Sequence, residues 1–429
     1  MRSEALKKVL FVSYYWPPSG KASLHLPLQL IKHLPSFGWQ PVVLTVKEDG
    51  FSERDESLLR QTDPSLPVYR TDVLEPFDIY RTFTGKKKGE RLVASETISK
   101  ENRSLTHRIS VWIRMNFFVP DARVGWYPYA KKEINKIISE HDIRAIVVVA
   151  PPHSSHLAPW RISIEKGIPF IPLFIDPWVD IVYYRGMKRS ALTLMLDNYL
   201  EKKVLQESAT SVFVTASMQE EYIRKYPSVA SKSSVLYWGY NEENFAELKP
   251  FTSGSAGAVT VLHSGNIFDF QNIPLFWAYI QKEIAAGADI RLRFTGSVSP
   301  GIRTAISEHG LDAVTEYTGF LPYADVITEM SRADFLLVCV TEKRHLPGKL
   351  FEYIRCGRPV IAFGDDNAEV EAILSETGAG KLFGYTETGR NYFDEVKGMT
   401  PDLEKVKKYD RKQAAGQLSD ILKKVISSQ

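Results

Sequence analysis

Cysteine is nearly absent: only Cys339 and Cys356 occur in 429 residues, and no CxxC spacing is present. A disulfide framework and a cysteine-built structural zinc site are therefore excluded, and a reducing compartment fits. Long apolar runs are also missing. No stretch reaches the roughly 18 residues that a membrane-spanning helix needs. Charge of one sign is not in excess, because 54 Lys+Arg against 51 Asp+Glu leave only +3. So small a balance does not predict a nucleic-acid binder. No GxSxG, HExxH or Walker lysine motif is found. The opening MRSEALKKVLFVSYYWPP has a short apolar run that stops at Pro17-Pro18 without a small-residue cleavage site. It reads as a buried strand rather than a secretory leader.

What is present is ordinary globular composition, 44% hydrophobic and 24% charged. At about 150 residues per domain, the length predicts two or three domains. Short β-branched runs (KVLFVSYY, PVVLTV, AIVVVA, FIPLFI, SVFVTA) alternate with amphipathic stretches. Nearly all-apolar strands fit a parallel sheet covered on both faces. The pattern restarts with TVLHSG, RLRFTG, TEYTG, DFLLVCV and PVIAFG, separated by helical patterns that often end at Gly. The expected fold class is α/β, with two Rossmann-like doubly wound parallel-sheet domains. The expected domains are residues 1–236, a linker at 237–257 rich in Gly, Ser and Asn, residues 258–400, and a terminal helical segment at 401–429. Residues 51–128 fit the alternation poorly and read as an insertion in the first domain.

Two segments carry candidate chemistry. In YYWPPSGKAS, a strand runs through a Pro/Gly turn to a helix expected near Ala22. Gly20 would let a ligand approach the backbone, Lys21 adds charge, and helix-start amides favour an anion. The bland alternative is an ordinary strand–helix turn. In HLPGKLFEYIRCGRPVI, Pro347 and Gly348 open a helix that Gly357 closes. Lys349 and Glu352, three apart, share one face. An anion can sit at Lys349 while Glu352 accepts hydrogen bonds from sugar hydroxyls, as an acidic residue does in dinucleotide folds. The alternative is a surface Lys–Glu pair.

The second segment closely resembles the donor-site segment of retaining GT-B glycosyltransferases, the large family-4-like group. YYWPPSGKASLH resembles their opening glycine loop. VPDARVGWYPYA, PPHSSHLAP and FIDPW resemble segments of a bacterial polysaccharide-synthesis branch, and LHSGN and YTGFLP follow in the same order. The resemblance implies the GT-B fold, two such domains facing a cleft with a C-terminal helix. It implies that Glu352 binds the nucleotide ribose, and that Gly20, Lys21, Gly265, Asn266, Gly296, Phe320, Gly348, Lys349 and Leu350 belong to the nucleotide-sugar site. Asp176 stands where many relatives carry a functional His, which makes it the catalytic candidate. His25, His153, His156 and Arg344 are weaker candidates for acceptor or sugar contact. For the two histidines at 153 and 156, a solvated position beside a helix cap is the alternative.

Departures from the pattern are Asn266 and Gln271 where many relatives carry Arg and Lys, Arg344 where a glutamate is frequent, and Lys21 in place of a second loop glycine. Lys349, Lys21 or Arg344 would then have to neutralise the diphosphate. The implied activity is sugar transfer, with retention, from a UDP- or GDP-type sugar to an acceptor hydroxyl in cell-surface polysaccharide or glycolipid synthesis. Saccharides and polyprenyl-linked saccharides are the expected acceptors. The alternatives are a nucleotide-sugar 2-epimerase-like isomerase and a degenerate sugar- or lipid-binding module that is not an enzyme. No cofactor is expected, since the nucleotide-sugar is a substrate. No metal is assigned, because Asp365-Asp366 reads as a turn and N-cap. The expected location is the cytoplasm. Lys86–Lys88, Arg91, Arg103, Arg108 and Arg114 interleaved with Trp112, Phe117 and Phe118 suit contact with an anionic membrane surface at its inner face, and the alternative is a solvated insertion.

Overall fold

The computed structural model describes residues 6–48, 51, 54–74, 105–181, 184, 187–246, 248 and 258–427, without side chains for 105–110. Lys86–Lys88, Arg91 and Arg103, and the side chain of Arg108, lie outside the described residues. The chain divides into two compact units, Met1–Tyr237 with Ala415–Gln429, and Trp238–Ala414.

In the first unit the order is β1 (Lys7–Ser13), α1 (His25–His33), β2 (Trp39–Val46), β3 (Val68–Thr71), α2 (Leu105–Phe117), α3 (Tyr127–Glu140), β4 (Ile143–Ala150), α4 (Leu157–Lys166), β5 (Phe170–Phe174), α5 (Ala191–Glu207), β6 (Ser211–Phe213), α6 (Ala216–Lys225) and β7 (Ser233–Val235). The strands form one parallel sheet in the order β3-β2-β1-β4-β5-β6-β7. β1 and β4 are its apolar centre, with Val9–Val12 and Ala145–Val148 buried. Ser190 and Thr215 cap α5 and α6 by accepting from the amides of Thr193 and Met218.

In the second unit follow β8 (Val259–Ser264), α7 (Pro274–Ala285), β9 (Ile290–Thr295), α8 (Pro300–Glu308), β10 (Thr315–Gly319), α9 (Tyr323–Arg332), β11 (Phe335–Cys339), α10 (Lys349–Arg355), β12 (Val360–Phe363), α11 (Ala368–Thr377), β13 (Gly380–Phe383), α12 (Tyr392–Val396) and α13 (Leu403–Val406). The sheet is parallel, in the order β10-β9-β8-β11-β12-β13. Phe276, Trp277, Leu292, Phe294, Leu337 and Phe363 fill its core. The last helix, α14 (Arg411–Ser427), starts in the second unit, and from Ala415 its residues group with the first. There Trp39 Nε1 donates to Ser419 Oγ at 3.1 Å.

The two Rossmann-like parallel sheets are the expected fold class. Three strands escape the sequence reading: β3, β7 and β13 are short edge or near-edge strands of mixed burial, with no continuous apolar run. Two local expectations differ. Residues 238–246, read as part of a linker, pack into the second unit, because Tyr240, Asn241 and Phe245 are buried. The cap of α11 is Asn367, which accepts from the Val370 amide, whereas Asp365 accepts from the Tyr385 amide.

Candidate functional site

In the second unit, β8 lies between β9 and β11, so the chain leaves it in opposite directions. In open parallel sheets, ligands bind outside the strand C-termini at such a switch point. Gly265 and Gly296 follow β8 and β9 there, with φ of 88° and 109°. A Cβ on Gly296 would stand 2.7 Å from the Gly265 carbonyl oxygen. Both the backbone conformation and the close approach therefore require glycine. Gly296 N donates to Gly319 O at 2.7 Å, which ties in the end of β10, where Phe320 is exposed.

The segment after β11 brings α10 to the same edge. Gly348 packs under Trp238, and a Cβ there would be 3.0 Å from the indole. The Lys349 ammonium does not pair with Glu352. It donates to His263 Nε2 at 2.7 Å and to the Ser264 carbonyl at 2.8 Å, beside Gly265. Burial lowers its pKa to about 8, so it stays mostly protonated at neutral pH. Burial and the adjacent ammonium push His263 well below its usual value, which leaves a neutral imidazole as acceptor. Glu352 Oε1 accepts a hydrogen bond from the Tyr323 hydroxyl. Its pKa is raised by burial, against the lowering effects of Tyr323, Arg411 and Lys349. The buried Arg411 is held by the carbonyls of Trp238 and Gly239, both at 3.1 Å. Leu350 is buried, and its amide closes the first turn on Pro347 O at 3.0 Å, so it belongs to the helix rather than to a ligand. α10 has only seven residues. The charge at this edge accordingly comes from Lys349 more than from a helix dipole.

Asn266 Oδ1 accepts from the Ser297 amide at 3.3 Å. Gln271 is buried, its Nε2 donating to Cys339 O at 2.7 Å and its Oε1 accepting from Phe268 N at 3.0 Å. Both positions where relatives carry cations are thus used to hold backbone. Arg344 is half-buried in the loop between β11 and α10. A hollow of about 500 Å³ in the same unit lies at the opposite, N-terminal edge of the strands. Its Arg293 is paired with Glu316 and Glu329.

In the first unit, Gly20 and Lys21 lie between β1 and α1 and His25 opens α1, all three half-buried, with Gly20 against the Arg54 backbone. Asp176 follows β5. Burial raises its carboxyl pKa to about 6. The loop that carries it is anchored from α5. Asp197 Oδ1 accepts from Trp178 Nε1 at 2.6 Å, and Glu201 Oε1 accepts from Val179 N at 3.2 Å. Tyr222 accepts from Trp178 N at 2.9 Å and donates to Glu201 at 2.8 Å. His153 and His156 are neither solvated nor placed for an exposed contact. Both are buried, with rings stacked on Trp178 at 5.1 and 5.4 Å. Burial lowers His153 to about 3 and drives His156 well down, so both are neutral core rings.

Sequence reasoning missed Tyr323, Arg411 and Trp238, which are distant in sequence from α10 and lie outside the quoted motifs, and it missed His263 although that residue sits inside LHSGN. It also missed Asp197 and Glu201. Their signal was there: Thr193, Asp197 and Glu201 recur every four residues on the side opposite the Leu192, Met195, Leu196 and Tyr199 stripe. Among the described residues, no three His, Cys, Asp or Glu side chains gather as a metal site.

Residues 258–384 match the family model Glycosyl transferases group 1. The matched stretch holds Gly265, Gly296, Lys349 and Glu352, and it supports a sugar-transferring function. No curated protein matches the chain by sequence. Among solved structures, HepE of Anabaena in complex with UDP has a TM-score of 0.63 at 13% identity, covering 97% of this chain and 100% of that one. Sucrose-phosphate synthase of Thermosynechococcus elongatus gives 0.59 at 15%, covering 99% and 100%. A UDP-N-acetylglucosamine 2-epimerase gives 0.52 at 13%, covering 97% and 95%. At these identities the likeness carries the fold, which is GT-B.

Proposed function

We propose that the protein transfers a sugar, with retention, from a UDP- or GDP-type donor to an acceptor hydroxyl. The observation that carries this reading is the pairing of Lys349 and Glu352 on α10 with the glycine ends of β8 and β9. One edge then offers a seated cation for a diphosphate and a carboxylate for vicinal ribose hydroxyls. The leaving group is a nucleoside diphosphate, whose developing charge must be stabilised by preorganised donors. Lys349 is held in place by His263 and Ser264 and needs little reorganisation to do so, so no metal is required in this reading. Asp176 serves the reacting sugar, as an anion that stabilises oxocarbenium-like charge. A saccharide or polyprenyl-linked saccharide is the acceptor, and cell-surface polysaccharide or glycolipid synthesis at the cytoplasmic side of a membrane is the setting.

The test is a panel of nucleotide-sugars with and without saccharide acceptors, read as nucleoside diphosphate release and as the anomeric configuration of the product. Release that needs acceptor, with the donor's anomeric configuration kept, is the expected result. An epimerised nucleotide-sugar formed without acceptor would make the protein an isomerase. Binding without turnover of any donor would make it a binding module.

A further inference from the structure

Helix α5 is built inside out over its first three turns. Its inward side is polar: Thr193, Asp197 and Glu201, at i, i+4 and i+8, are buried, the two carboxylates at 0% exposure. Asp197 pairs with Arg189, and Glu201 with Lys225, so each carboxylate has a cation. The outward side is apolar. Leu192, Met195, Leu196 and Tyr199 form the i, i+3, i+4, i+7 stripe that normally faces a core, and Leu192 and Met195 are 69% and 65% exposed.

Helix α2 lies beside it. Asn116 Nδ2 donates to Lys188 O at 3.1 Å, and Asn116 Oδ1 accepts from Ser190 N at 2.6 Å, which locks the end of α2 to the start of α5. Trp112, Ile113 and Phe117 are exposed on α2, with Phe117 at 69% and its ring 5.9 Å from that of Trp112. Two adjoining helix faces thus present seven large apolar side chains to the outside. Contiguous apolar surface of this kind marks an interaction site.

We propose that this α2–α5 face docks on the headgroup–acyl boundary of an anionic lipid surface. The charges decide between lipid and a second copy of the chain. Residues 105–117 contain no acid, and the single acid of 187–200 is the buried Asp197. Lys188 and Lys202, at the two ends of the stripe, are exposed. An acid-free apolar face with cations at its ends and Trp112 and Tyr199 among its members matches a bilayer interface. It offers no opposite charge to a copy of itself. No described helix is long and apolar enough to cross a membrane, so the contact is made by lying on the surface.

The experiment is vesicle flotation of the full chain with phosphatidylglycerol-containing and with purely phosphatidylcholine vesicles. The native protein should float with the anionic vesicles and much less with the neutral ones. Leu192→Ser, Met195→Ser and Leu196→Ser together should cut binding at least tenfold. Ile164→Ser, an exposed apolar position on α4, should leave it unchanged. The replaced side chains are exposed, so circular dichroism and nucleoside diphosphate binding should match the native protein. This keeps the result separate from the donor-site reading. No flotation, equal flotation with both vesicles, or undiminished binding of the triple variant would overturn the proposal. So would a native dimer in light scattering that the triple variant splits, because a second copy would then own the face.

Discussion

Replacing Glu352 by Ala tests the donor site at its centre. In the free protein one carboxylate oxygen is taken by the Tyr323 hydroxyl, which leaves the other to accept from a ribose hydroxyl. A hydrogen bond to a charged group contributes about 1.5–3 kcal/mol. At 1.4 kcal/mol per tenfold, losing that single bond weakens nucleoside diphosphate binding by about 10- to 150-fold. Calorimetric titration with UDP and GDP measures it. Two controls separate ribose recognition from simple loss of structure. Tyr323→Phe removes the competing donor and leaves the carboxylate, so affinity should hold or rise. A 2′,3′-dideoxy analogue should bind the native protein weakly and be insensitive to Glu352→Ala. The substitution is not silent for the fold, because Tyr323 and the buried Arg411 both lose a partner. The melting temperature of the variant must therefore be compared with that of Tyr323→Phe. If Glu352→Ala binds the diphosphate as tightly as the native protein, the carboxylate serves only Tyr323 and Arg411, and the ribose assignment falls.

Other outcomes follow from the same geometry. The pKa of Lys349 is lowered to about 8, and the diphosphate needs the protonated amine. Affinity should be full below that pH and fall by up to tenfold per unit above it, and Lys349→Met should abolish the dependence in the same titrations. Asp176→Asn should leave nucleotide binding nearly unchanged but cut turnover at least 100-fold, the usual scale for one well-placed catalytic group. Because burial raises Asp176 to about 6 and the anion is the working form, native turnover should be flat above that pH and drop below it. Retained turnover in the Asn variant would sink that role. Gly296→Ala forces a Cβ to 2.7 Å from a carbonyl oxygen at a φ of 109°. It should cost about 1–3 kcal/mol in chemical denaturation, and an unchanged midpoint would show that the strand ends can part.

The sequence by itself determined the fold class, because nearly continuous β-branched runs between amphipathic stretches leave a parallel sheet covered on both faces as the way to bury them. It also determined where the segment with Lys349 and Glu352 lies, since Pro347, Gly348 and Gly357 punctuate one short helix. Which groups these two side chains meet was decided only by the tertiary structure. The Lys349 ammonium reaches back to His263 and Ser264 across 85 and more residues, and Tyr323 rather than Lys349 holds Glu352. Such partners are set by strand order, which no local spacing encodes. Burial was equally out of reach. His153 and His156 sit in a polar-looking HSSH turn, yet the topology stacks them on Trp178. The apolar stripe of α5 carries the spacing of a core-facing helix, yet it points outward, because the inward side is claimed by the carboxylates that anchor the loop of Asp176. Periodicity tells which residues share a face, and only the packed structure tells which way that face looks.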